Sequence, residues 1–599
     1  MTTYAAPLRD IRFVFEHVTP LAELTALDDF AHADPELVAG LLEEAGRFAA
    51  DAIAPTNRDG DLEGSRVEGD GVVTPASFKT AYRQYVEAGW GAVQHPAAFG
   101  GGAFPLTVAN AVKEMMTSAN MAFSLGPLLT TGAVYLLSHH GSEEQQQTYL
   151  PRMVSGEWSG TMNLTEPQAG SDVGAVTTRA VPADDGSYRI TGQKIYITYG
   201  EHDLVEQIVH LVLARLPDAP PGTKGISLFL VPKFLVEDDG SLGARNDVQV
   251  VSVEHKLGIH GSPTCVMAFG EGGEGAVGEL VGEPNEGMRA MFTMMNDARL
   301  GVGLQGVAVA ERAFQQSLAY AQERRQGRGP TSAPGEQSPI VEHADVRRML
   351  LTQKASIEAM RAVCYANAHA LDQAEHADDP VVREQQTKLA DLLTPLSKSW
   401  STDLGVELTS LALQIHGGMG YVEETGSAQH YRDARIAPIY EGTNGIQALD
   451  LVGRKLPYDG GAFVKGFLAD LRTEVDELPD ELAAIADGVR AGLDALEEAT
   501  AWIAARRETP VDVFAGASPY LRVFATVVGG ALLARGAAAA QHRLDAGDLG
   551  GYDAGFLAAK VTSARFFATQ LLPAAVGLLP SVMAGAEDLY AWDPAAIAP

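Results

Sequence analysis

Apolar residues recur at helical spacing in the first part of the chain. Asp34-Pro35-Glu36 marks a helix start, because Pro suits the first helical turn and an acid there interacts favourably with the helix dipole. The apolar positions that follow share one helix face: Leu37, Leu41, Leu42, Ala45 and Phe48. We therefore expect residues 1–160 to be mainly helical, with a glycine-rich loop at 99–105 and further helix over about 106–155.

Between 161 and about 285 the pattern changes to short β-branched runs. The segments 189–198, 208–214 and 225–232 have the length and composition of strands, and Gly or Pro bounds them. This stretch is expected to form a β domain between helical domains.

Helical spacing returns after residue 286. Its apolar stripe consists of Met288, Met291, Phe292, Met295 and Val302. Clustered Gly and Pro after Arg324 indicate a long loop. Helices are expected from about 341 to 456, interrupted at 416–445, and the Ala- and Leu-rich tail indicates one more helical domain. The pattern predicts a mainly α fold with a central β domain, divided into 1–160, 161–285, 286–456 and 457–599.

Composition excludes several classes of protein. The 599 residues are 46% hydrophobic and 20% charged, which excludes a mainly disordered chain. The net charge of −33 repels phosphate backbones and anionic membranes, so we expect no nucleic-acid partner. Cys265 and Cys364 form no disulfide framework or Cys-rich metal site, and no metal is expected. The N-terminus has no basic-then-apolar leader, so a cytoplasmic location is expected.

One uncharged segment, Phe566 to Ala586, is long enough to span a bilayer. It contains Gln570, Pro573 and Pro580, and many of its apolar residues are Ala. Two prolines at this spacing suit a broken, buried helix pair better than a membrane span. No integral membrane segment is therefore expected.

Neither a dinucleotide-binding glycine motif nor a P-loop is present, but other segments have the composition of a cofactor site. In Met162 to Asp172, Pro167 and Gly170 prevent regular structure. The hydroxyls of Thr165 and Ser171, with backbone N–H groups around Gly170, have the elements of an anion-binding nest. An ordinary surface turn is equally compatible with this segment.

The next two segments supply an aromatic residue and a carboxylate. Tyr196 and Thr198 alternate on one predicted strand and suit one side of a flat ring, although ordinary strand packing explains them equally well. Glu441 lies between apolar neighbours just before a helix start near Thr443. Desolvation there would raise its pKa and make it a better base near neutral pH. An exposed loop Glu is the alternative.

Arg299 falls within the apolar stripe of its predicted helix. A charge in such a position needs a partner. A structural ion pair and an anionic ligand both satisfy this requirement.

Together, four segments resemble the acyl-CoA dehydrogenase family. They are Leu164-Thr-Glu-Pro-Gln-Ala-Gly-Ser-Asp172, Tyr196-Ile-Thr198, Gln414 to Gly420 and Ile439-Tyr-Glu-Gly-Thr443, in the family's order across residues 30–456. Further stretches, among them Met294-Met-Asn-Asp-Ala-Arg-Leu300, resemble a subgroup with longer chains. That subgroup includes 3-methylmercaptopropionyl-CoA dehydrogenases and broad-range bacterial fatty acyl-CoA dehydrogenases, and the tail after 457 resembles its extra helical domain.

The resemblance implies a helical N-terminal domain, a β-barrel-like middle domain and a four-helix bundle that together bind FAD. It also implies the reaction: an acyl-CoA loses an α-proton to a Glu and a β-hydride to the flavin, which gives a trans-2-enoyl-CoA. Electrons would then pass to an electron-transferring flavoprotein. A homodimer is expected by analogy with the longer subgroup.

The resemblance also implies roles for individual residues. Glu441 would be the catalytic base. The cofactor contacts would be Met162, Leu164, Thr165, Ser171, Tyr196, Ile197, Thr198, Arg324, Gln414, Gly417, Gly418, Thr443 and Gly445, with Arg324, Gln414, Gly417 and Gly418 holding the FAD of a neighbouring subunit. The substrate contacts would be Ser171, Asn296, Arg299 and Gly442.

Some positions depart from the family pattern. Tyr196 stands where Trp is common and Tyr199 where Asn is common. The region Arg324 to Arg328 reads Arg-Arg-Gln-Gly-Arg and lacks the usual Phe-Gly. The alternatives to a dehydrogenase are a nucleic-acid-associated, alkylation-response member of the same fold and a non-catalytic scaffold.

Overall fold

The computed structural model describes residues 4–330 and 333–597. Packing divides the chain into two compact units. Residues 43–301 form one unit. The other consists of the chain up to Leu42 together with the chain from Val302 onward.

The N-terminal region is helical, as the periodicity predicts. Its helices are α1 (Leu8–His17), α2 (Leu21–Thr25), α3 (Pro35–Phe48), α4 (Thr56–Glu63), α5 (Ala76–Glu87), α6 (Leu106–Ala119), α7 (Met121–His140) and α8 (Glu143–Ser155). The helix expected from Pro35 is confirmed as α3. A small hairpin of β1 (Arg66–Glu68) and β2 (Gly71–Val73), which the sequence pattern did not indicate, separates α4 from α5.

An eight-stranded sheet dominates the middle region. Its strands are β3 (Trp158–Asn163), β4 (Arg179–Pro182), β5 (Tyr188–Thr198), β6 (Gln207–Arg215), β7 (Ile226–Pro232), β10 (Val248–Val253), β11 (Thr264–Phe269) and β12 (Ala276–Val281). The order is β10-β11-β5-β12-β7-β6-β3, with β4 beside β5 and β6. Strands β8 (Phe234–Val236) and β9 (Leu242–Arg245) form a separate hairpin. The three strands expected from sequence are confirmed as β5, β6 and β7.

Burial on both faces explains why β6 and β7 are almost continuously apolar. On one face, Val209, Leu211 and Leu228 pack in a core with Leu136 and Trp158 from α7 and β3. The opposite face holds a second core within the sheet, which contains the buried, free Cys265. A strand that faces apolar neighbours on both sides has no polar side to present.

The remaining helices follow the sheet. They are α9 (Gly287–Glu323), α10 (Ala344–His376), α11 (Pro380–Pro395), α12 (Ser401–His416), α13 (Ser427–Ala434), α14 (Asn444–Asp450), α15 (Ala462–Asp476), α16 (Ala483–Ala504), α17 (Pro510–Ala515), α18 (Ala517–Ala546), α19 (Ala554–Phe566), α20 (Leu572–Val576), α21 (Leu579–Met583), α22 (Glu587–Ala591) and α23 (Pro594–Ile597). The long loop predicted after Arg324 lies between α9 and α10. The C-terminal region is confirmed as helical.

Buried charges join α1 to helices far away in the sequence. Asp10 accepts hydrogen bonds from Lys354 of α10, at 2.8 Å, and from Lys560 of α19. Lys560 also donates to Glu358 at 2.9 Å. Burial opposes ionisation of Asp10, but the two lysines outweigh it and hold its pKa well below the usual range. The first helix is thereby linked to both the bundle and the C-terminal helices.

Among residues 4–330 and 333–597, three helical stretches are long and apolar enough to cross a bilayer by length and composition: Met121–His140, Ala517–Ala546 and Ala554–Met583. The protein buries 67% of the apolar window in the first, 78% in the second and 28% in the third. The expected helix break is confirmed, since Pro573 and Pro580 lie in the first turns of α20 and α21. The expected burial of this segment is only partial: Phe567, Leu572 and Val582 are buried, whereas Ala574 and Ala584 are exposed.

Candidate active site

A buried ion pair lies beneath the first predicted cofactor loop. The Nζ of Lys194 in β5 is 2.8 Å from Oε1 of Glu166, and both side chains are buried. Glu166 also accepts hydrogen bonds from the backbone N–H and hydroxyl groups of Thr177 and Thr178. Burial would raise the pKa of Glu166, but Lys194 and these hydrogen bonds outweigh it and lower the pKa to about 2. Glu166 is therefore a fixed anion around which the loop folds.

The loop is joined directly to the strand that carries the predicted aromatic residue. The backbone N–H of Ile195 donates to the carbonyl of Thr165 at 2.9 Å, and Lys194 Nζ donates to the carbonyl of Leu164 at 3.1 Å. Gly170 and Ser171 are exposed, whereas Leu164 and Met162 pack partly against the core below. The structure thus brings Leu164 and Thr165 beside β5.

Tyr196 lies at a β-bulge in β5. Cys265 of β11 pairs with Ile197 and Met267 pairs with Lys194, so β5 has one residue more than its partner. Tyr196 has φ of 60° and its side chain is 61% exposed. A non-glycine residue in this left-handed conformation is strained, and such bulges often redirect side chains beside active sites. The bulge leaves an aromatic surface open beside the Leu164–Ser171 loop.

The side chains of two neighbours of Tyr196 are buried and do not face the open surface beside its ring. Ile197 is buried in the core of the sheet, so a ligand on the exposed face can reach only its backbone. Tyr199 is buried too, and its hydroxyl donates to the carbonyl of Ala122 at 2.9 Å. The residue that replaces the family's common Asn therefore contributes to packing, because its ring lies against Gly126 of α7.

The predicted substrate contacts Asn296 and Arg299 are neighbours on α9. Arg299 is only 8% exposed, and its Nη1 donates to Asn296 Oδ1 at 3.2 Å. The Arg299 guanidinium also lies 5.8 Å from the centre of the Phe292 ring. Asn296 is partly exposed. The anomalous charge in the apolar stripe is held in a defined orientation by residues on its own helix.

Glu441 occupies a strained turn between α13 and α14. Its φ is 55°, and Gly442 follows with φ of 76°, so two consecutive residues are left-handed. Glycine adopts this conformation freely, but for Glu it costs about 1–2 kcal/mol. The Glu441 side chain is partly buried. Strain of this kind persists where the surroundings determine the conformation.

Hydrogen bonds on both sides of this turn hold its backbone conformation. On one side, the hydroxyl of partly buried Tyr440 donates to Gln305 of α9. On the other side, Asn444 accepts from Lys398 at 2.9 Å and donates to Asp403 at 2.7 Å. Lys398 is completely buried. These contacts fix the residues immediately before and after the Glu441–Gly442 pair.

Side chains also hold the start of α14. The amide of Gln447 reaches the carbonyls of Glu441 and Gly442 at 3.4 and 3.3 Å. Thr443 caps the helix by accepting from the Ile446 N–H at 3.3 Å. Gly445 is exposed in the first helical turn.

The contacts assigned to a neighbouring subunit's cofactor lie near the ends of α9 and α12. The rings of Tyr320 and His416 stack with their centres 4.6 Å apart, which joins these two helix ends. The exposed residues there are Arg324, Gln414, Gly417 and Gly418. Gly417 has φ of 61° and terminates α12.

Each of the two compact units has an exposed place with features that suit a large, flat, phosphate-bearing cofactor. Tyr196 offers an aromatic face, and an added Cβ at Gly170 or Gly418 would meet no atom within 4 Å, so the backbone there is open to close approach. In the part of the chain that the structure describes, no group of three or more His, Cys, Asp or Glu residues has metal-binding geometry.

Several supporting residues were not identified from sequence. Glu166, Lys194, Lys398, Asn444 and Gln305 hold the two turns without belonging to the predicted contact set. Lys194 had a detectable signal, because it is a charge at an inward position of an otherwise apolar strand pattern. The others had none, since their partners lie far away in the sequence.

Four family domains cover most of the chain. Residues 38–157, 161–271 and 285–456 match the N-terminal, middle and C-terminal domains of acyl-CoA dehydrogenases. Residues 464–593 match a domain described as acetyl-CoA dehydrogenase C-terminal like.

Curated relatives and a solved structure agree with this match. The chain is 47% identical to 3-methylmercaptopropionyl-CoA dehydrogenase of Ruegeria pomeroyi, over 95% of this chain and 96% of the relative. It is 37% identical to a butyryl-CoA dehydrogenase of Syntrophomonas wolfei, over 97% of both chains. The fold resembles that of an acyl-CoA dehydrogenase complexed with FAD from Bacillus anthracis, with a TM-score of 0.73 and 20% sequence identity. The match covers 93% of this chain and 90% of that structure's chain.

The chain belongs to the acyl-CoA dehydrogenase family. It is therefore an oxidoreductase with FAD as its cofactor, and acyl-CoA thioesters are its substrates. The relatives that span nearly the whole chain are named as dehydrogenases, which favours catalysis over a nucleic-acid-associated or scaffolding role.

Proposed function

We propose that Glu441 is the base that removes the α-proton of a short acyl-CoA, which is oxidised to its trans-2-enoyl-CoA. The observation that carries the assignment is the left-handed Glu441–Gly442 pair, fixed by Tyr440 on one side and Asn444 on the other. A merely exposed loop Glu would have no reason to be held in a strained conformation.

The chemistry explains why a fixed carboxylate is needed. The α-C–H of a thioester is a weak acid, so the base must lie within hydrogen-bonding distance of that proton. The carbonyl oxygen gains negative charge as the proton leaves and needs a donor, a role we assign to the backbone N–H of Glu441. Bound FAD supplies the acceptor for the β-hydride.

Other residues would bind and orient the ligands. We assign Tyr196, Thr198 and the Leu164–Ser171 loop to one face of the cofactor, with Met162 below and the backbone of Ile197 alongside. Thr443 and Gly445 would complete this set. Arg324, Gln414, Gly417 and Gly418 would reach a partner subunit's cofactor. Ser171, Gly442, Asn296 and Arg299 would contact the CoA ester, with the last two at its charged nucleotide portion.

The acyl group we propose is 3-methylmercaptopropionyl, the group in the name of the relative with 47% identity. Its thioether sulfur replaces one methylene, so it has nearly the size and shape of pentanoyl. A pocket separates groups that differ by one methylene by only about 1–3 kcal/mol. Straight four- and five-carbon chains should therefore also react, and the name of another relative, butyryl-CoA dehydrogenase, is compatible with this.

A substrate series tests the acyl group. The purified holoenzyme is assayed with an artificial electron acceptor and butyryl-, pentanoyl-, 3-methylmercaptopropionyl-, octanoyl- and palmitoyl-CoA. We expect kcat/KM to be highest for 3-methylmercaptopropionyl-CoA, with pentanoyl-CoA within about tenfold. A maximum at octanoyl- or palmitoyl-CoA would contradict the proposed acyl group and leave the reaction class intact.

Substitution of the base tests the mechanism. Glu441→Gln should retain FAD, seen as flavin absorbance, and lose about 100- to 10,000-fold in kcat. Glu424→Gln, which changes an exposed Glu nearby in the sequence, is the matched control and should keep the wild-type rate. Near-normal turnover of Glu441→Gln would refute the assignment of the base.

We also propose the assembly and the cellular setting. The four-domain division at 160, 285 and 456 is supported by family matches that end and begin close to those positions. We propose a cytoplasmic homodimer with no integral membrane span that passes electrons to an electron-transferring flavoprotein. Light scattering checks the dimer, and fractionation of cells checks the location.

A further inference from the structure

The C-terminal helices line a cavity whose walls come from residues between Val452 and Phe514. It has a volume of about 740 Å³ and lies among α15, α16, α17 and the turn after α14. Sites for small molecules usually have volumes of about 300–1,000 Å³. The cavity is therefore large enough for an organic ligand.

The walls of the cavity are mainly apolar. They include Val452, Leu456, Val464, Leu468, Ile503 and Val513, all of them buried side chains. The cavity has empty space next to Gly453, since an added Cβ there would meet no atom within 4 Å. Such walls suit a hydrocarbon chain and exclude a nucleotide, whose phosphates and base need polar partners.

The exposed rim of the cavity carries positive charge. Lys465 and Arg507 line it, and within residues 4–330 and 333–597 neither forms an ion pair with a carboxylate. Arg507 makes only a long contact of 3.5 Å with the carbonyl of Gly460. The lining carboxylate, Glu497, pairs with Arg472 at 3.2 Å, and Arg472 also pairs with Asp494 at 2.8 Å. Two cations beside an apolar space, in a chain of net charge −33, are complementary to an anionic head group on an apolar tail.

We propose that this cavity binds a long-chain carboxylate, with its tail among the apolar walls and its carboxylate between Lys465 and Arg507. A single hydrocarbon tail matches the volume of this cavity, and one carboxylate matches Lys465 and Arg507, which form no ion pair with a carboxylate in the described residues. A CoA thioester fits less well, because its several phosphate charges and adenine have no further polar partners here.

Calorimetric titration of the holoenzyme tests this proposal with dodecanoate below its micelle-forming concentration. Dodecanol and dodecylammonium serve as neutral and cationic probes of equal length. An excess of trans-2-butenoyl-CoA occupies the acyl-CoA site. We expect one dodecanoate per chain, bound about tenfold more tightly than dodecanol, because charge-assisted hydrogen bonds contribute about that much.

Variants identify the cavity. Gly453→Phe should abolish dodecanoate binding by filling the space, while Gly466→Phe, on α15 but outside the cavity lining, should not. The double variant Lys465→Gln/Arg507→Gln should bind dodecanoate about tenfold more weakly than wild type, and its affinity for dodecanol should be unchanged. The charge control is Arg490→Gln, since Arg490 lies on α16 and pairs with Asp476 at 2.7 Å.

Several outcomes would overturn the proposal. They are absence of dodecanoate binding, displacement by trans-2-butenoyl-CoA, equal affinity for dodecylammonium, and insensitivity to Gly453→Phe. If wild type binds no dodecanoate and Gly453→Phe dissociates an oligomer in light scattering, the cavity is an interface between copies of this chain.

Discussion

Lys194 and Tyr196 are two positions apart on β5 but face opposite sides of the sheet. In a regular strand they would share a face. The bulge between the pairs Cys265–Ile197 and Met267–Lys194 reverses the alternation, so Lys194 is completely buried beneath Glu166 while Tyr196 is 61% exposed. One inserted residue thus places the buried Lys194 ammonium beneath the cofactor loop and leaves the Tyr196 ring exposed to solvent.

Removal of the buried cation should destabilise the protein. In Lys194→Met the Glu166 carboxylate would remain buried without its cation, and the free energy of unfolding should fall by about 3–5 kcal/mol. Arg189→Met, on the same strand, removes an exposed partner of Asp185 and should cost less than about 1 kcal/mol. Urea unfolding measures both, and equal losses would show that the buried pair has no special role.

Acid should weaken the contribution of the same pair. The pKa of Glu166 is about 2 in the folded protein and close to 4.5 when unfolded, so its contribution is complete above pH 4.5 and is lost as the pH falls toward 2. The stability difference between wild type and Glu166→Gln/Lys194→Met should therefore shrink by about 3 kcal/mol over that range. Unfolding at several acidic pH values checks the trend, and a constant difference would contradict the lowered pKa.

Substitutions at Tyr196 should affect protein stability and FAD binding in different ways. Gly adopts the left-handed conformation freely, whereas Ala is strained in it. The free energy of unfolding of the Tyr196→Gly apoprotein should therefore be about 1 kcal/mol higher than that of the Tyr196→Ala apoprotein. Both variants should bind FAD more weakly than Tyr196→Phe, which keeps the ring. Flavin fluorescence titration measures the affinity, and unchanged FAD binding in both small variants would contradict the proposed cofactor contact.

Arg299 should recognise the nucleotide portion of CoA. Arg299→Gln should raise KM for an acyl-CoA about tenfold and leave KM for the matching acyl-pantetheine, which has no nucleotide, unchanged. Arg289→Gln is the control on the same helix, because Arg289 is exposed and pairs with Glu286. An equal rise for both substrates would indicate a general structural effect instead.

The sequence alone determined several of the elements and the class of chemistry. Periodicity predicts α3, β5, β6 and β7 because residues that share a face of a helix or strand are at most a few positions apart. The strained Glu441 and the open Gly170 lie in motifs whose order along the chain resembles the family, so both were identified without coordinates.

Tertiary structure decided which side chains hold those motifs in place. Glu166 meets Lys194 across 28 positions and Asp10 meets Lys560 across 550, and no local pattern relates such partners. The bulge at Tyr196 depends on the register with β11, and the C-terminal cavity exists only where separate helices fail to fill the space between them. Local propensity acts over a few residues, whereas burial and charge pairing depend on the packing of the whole chain.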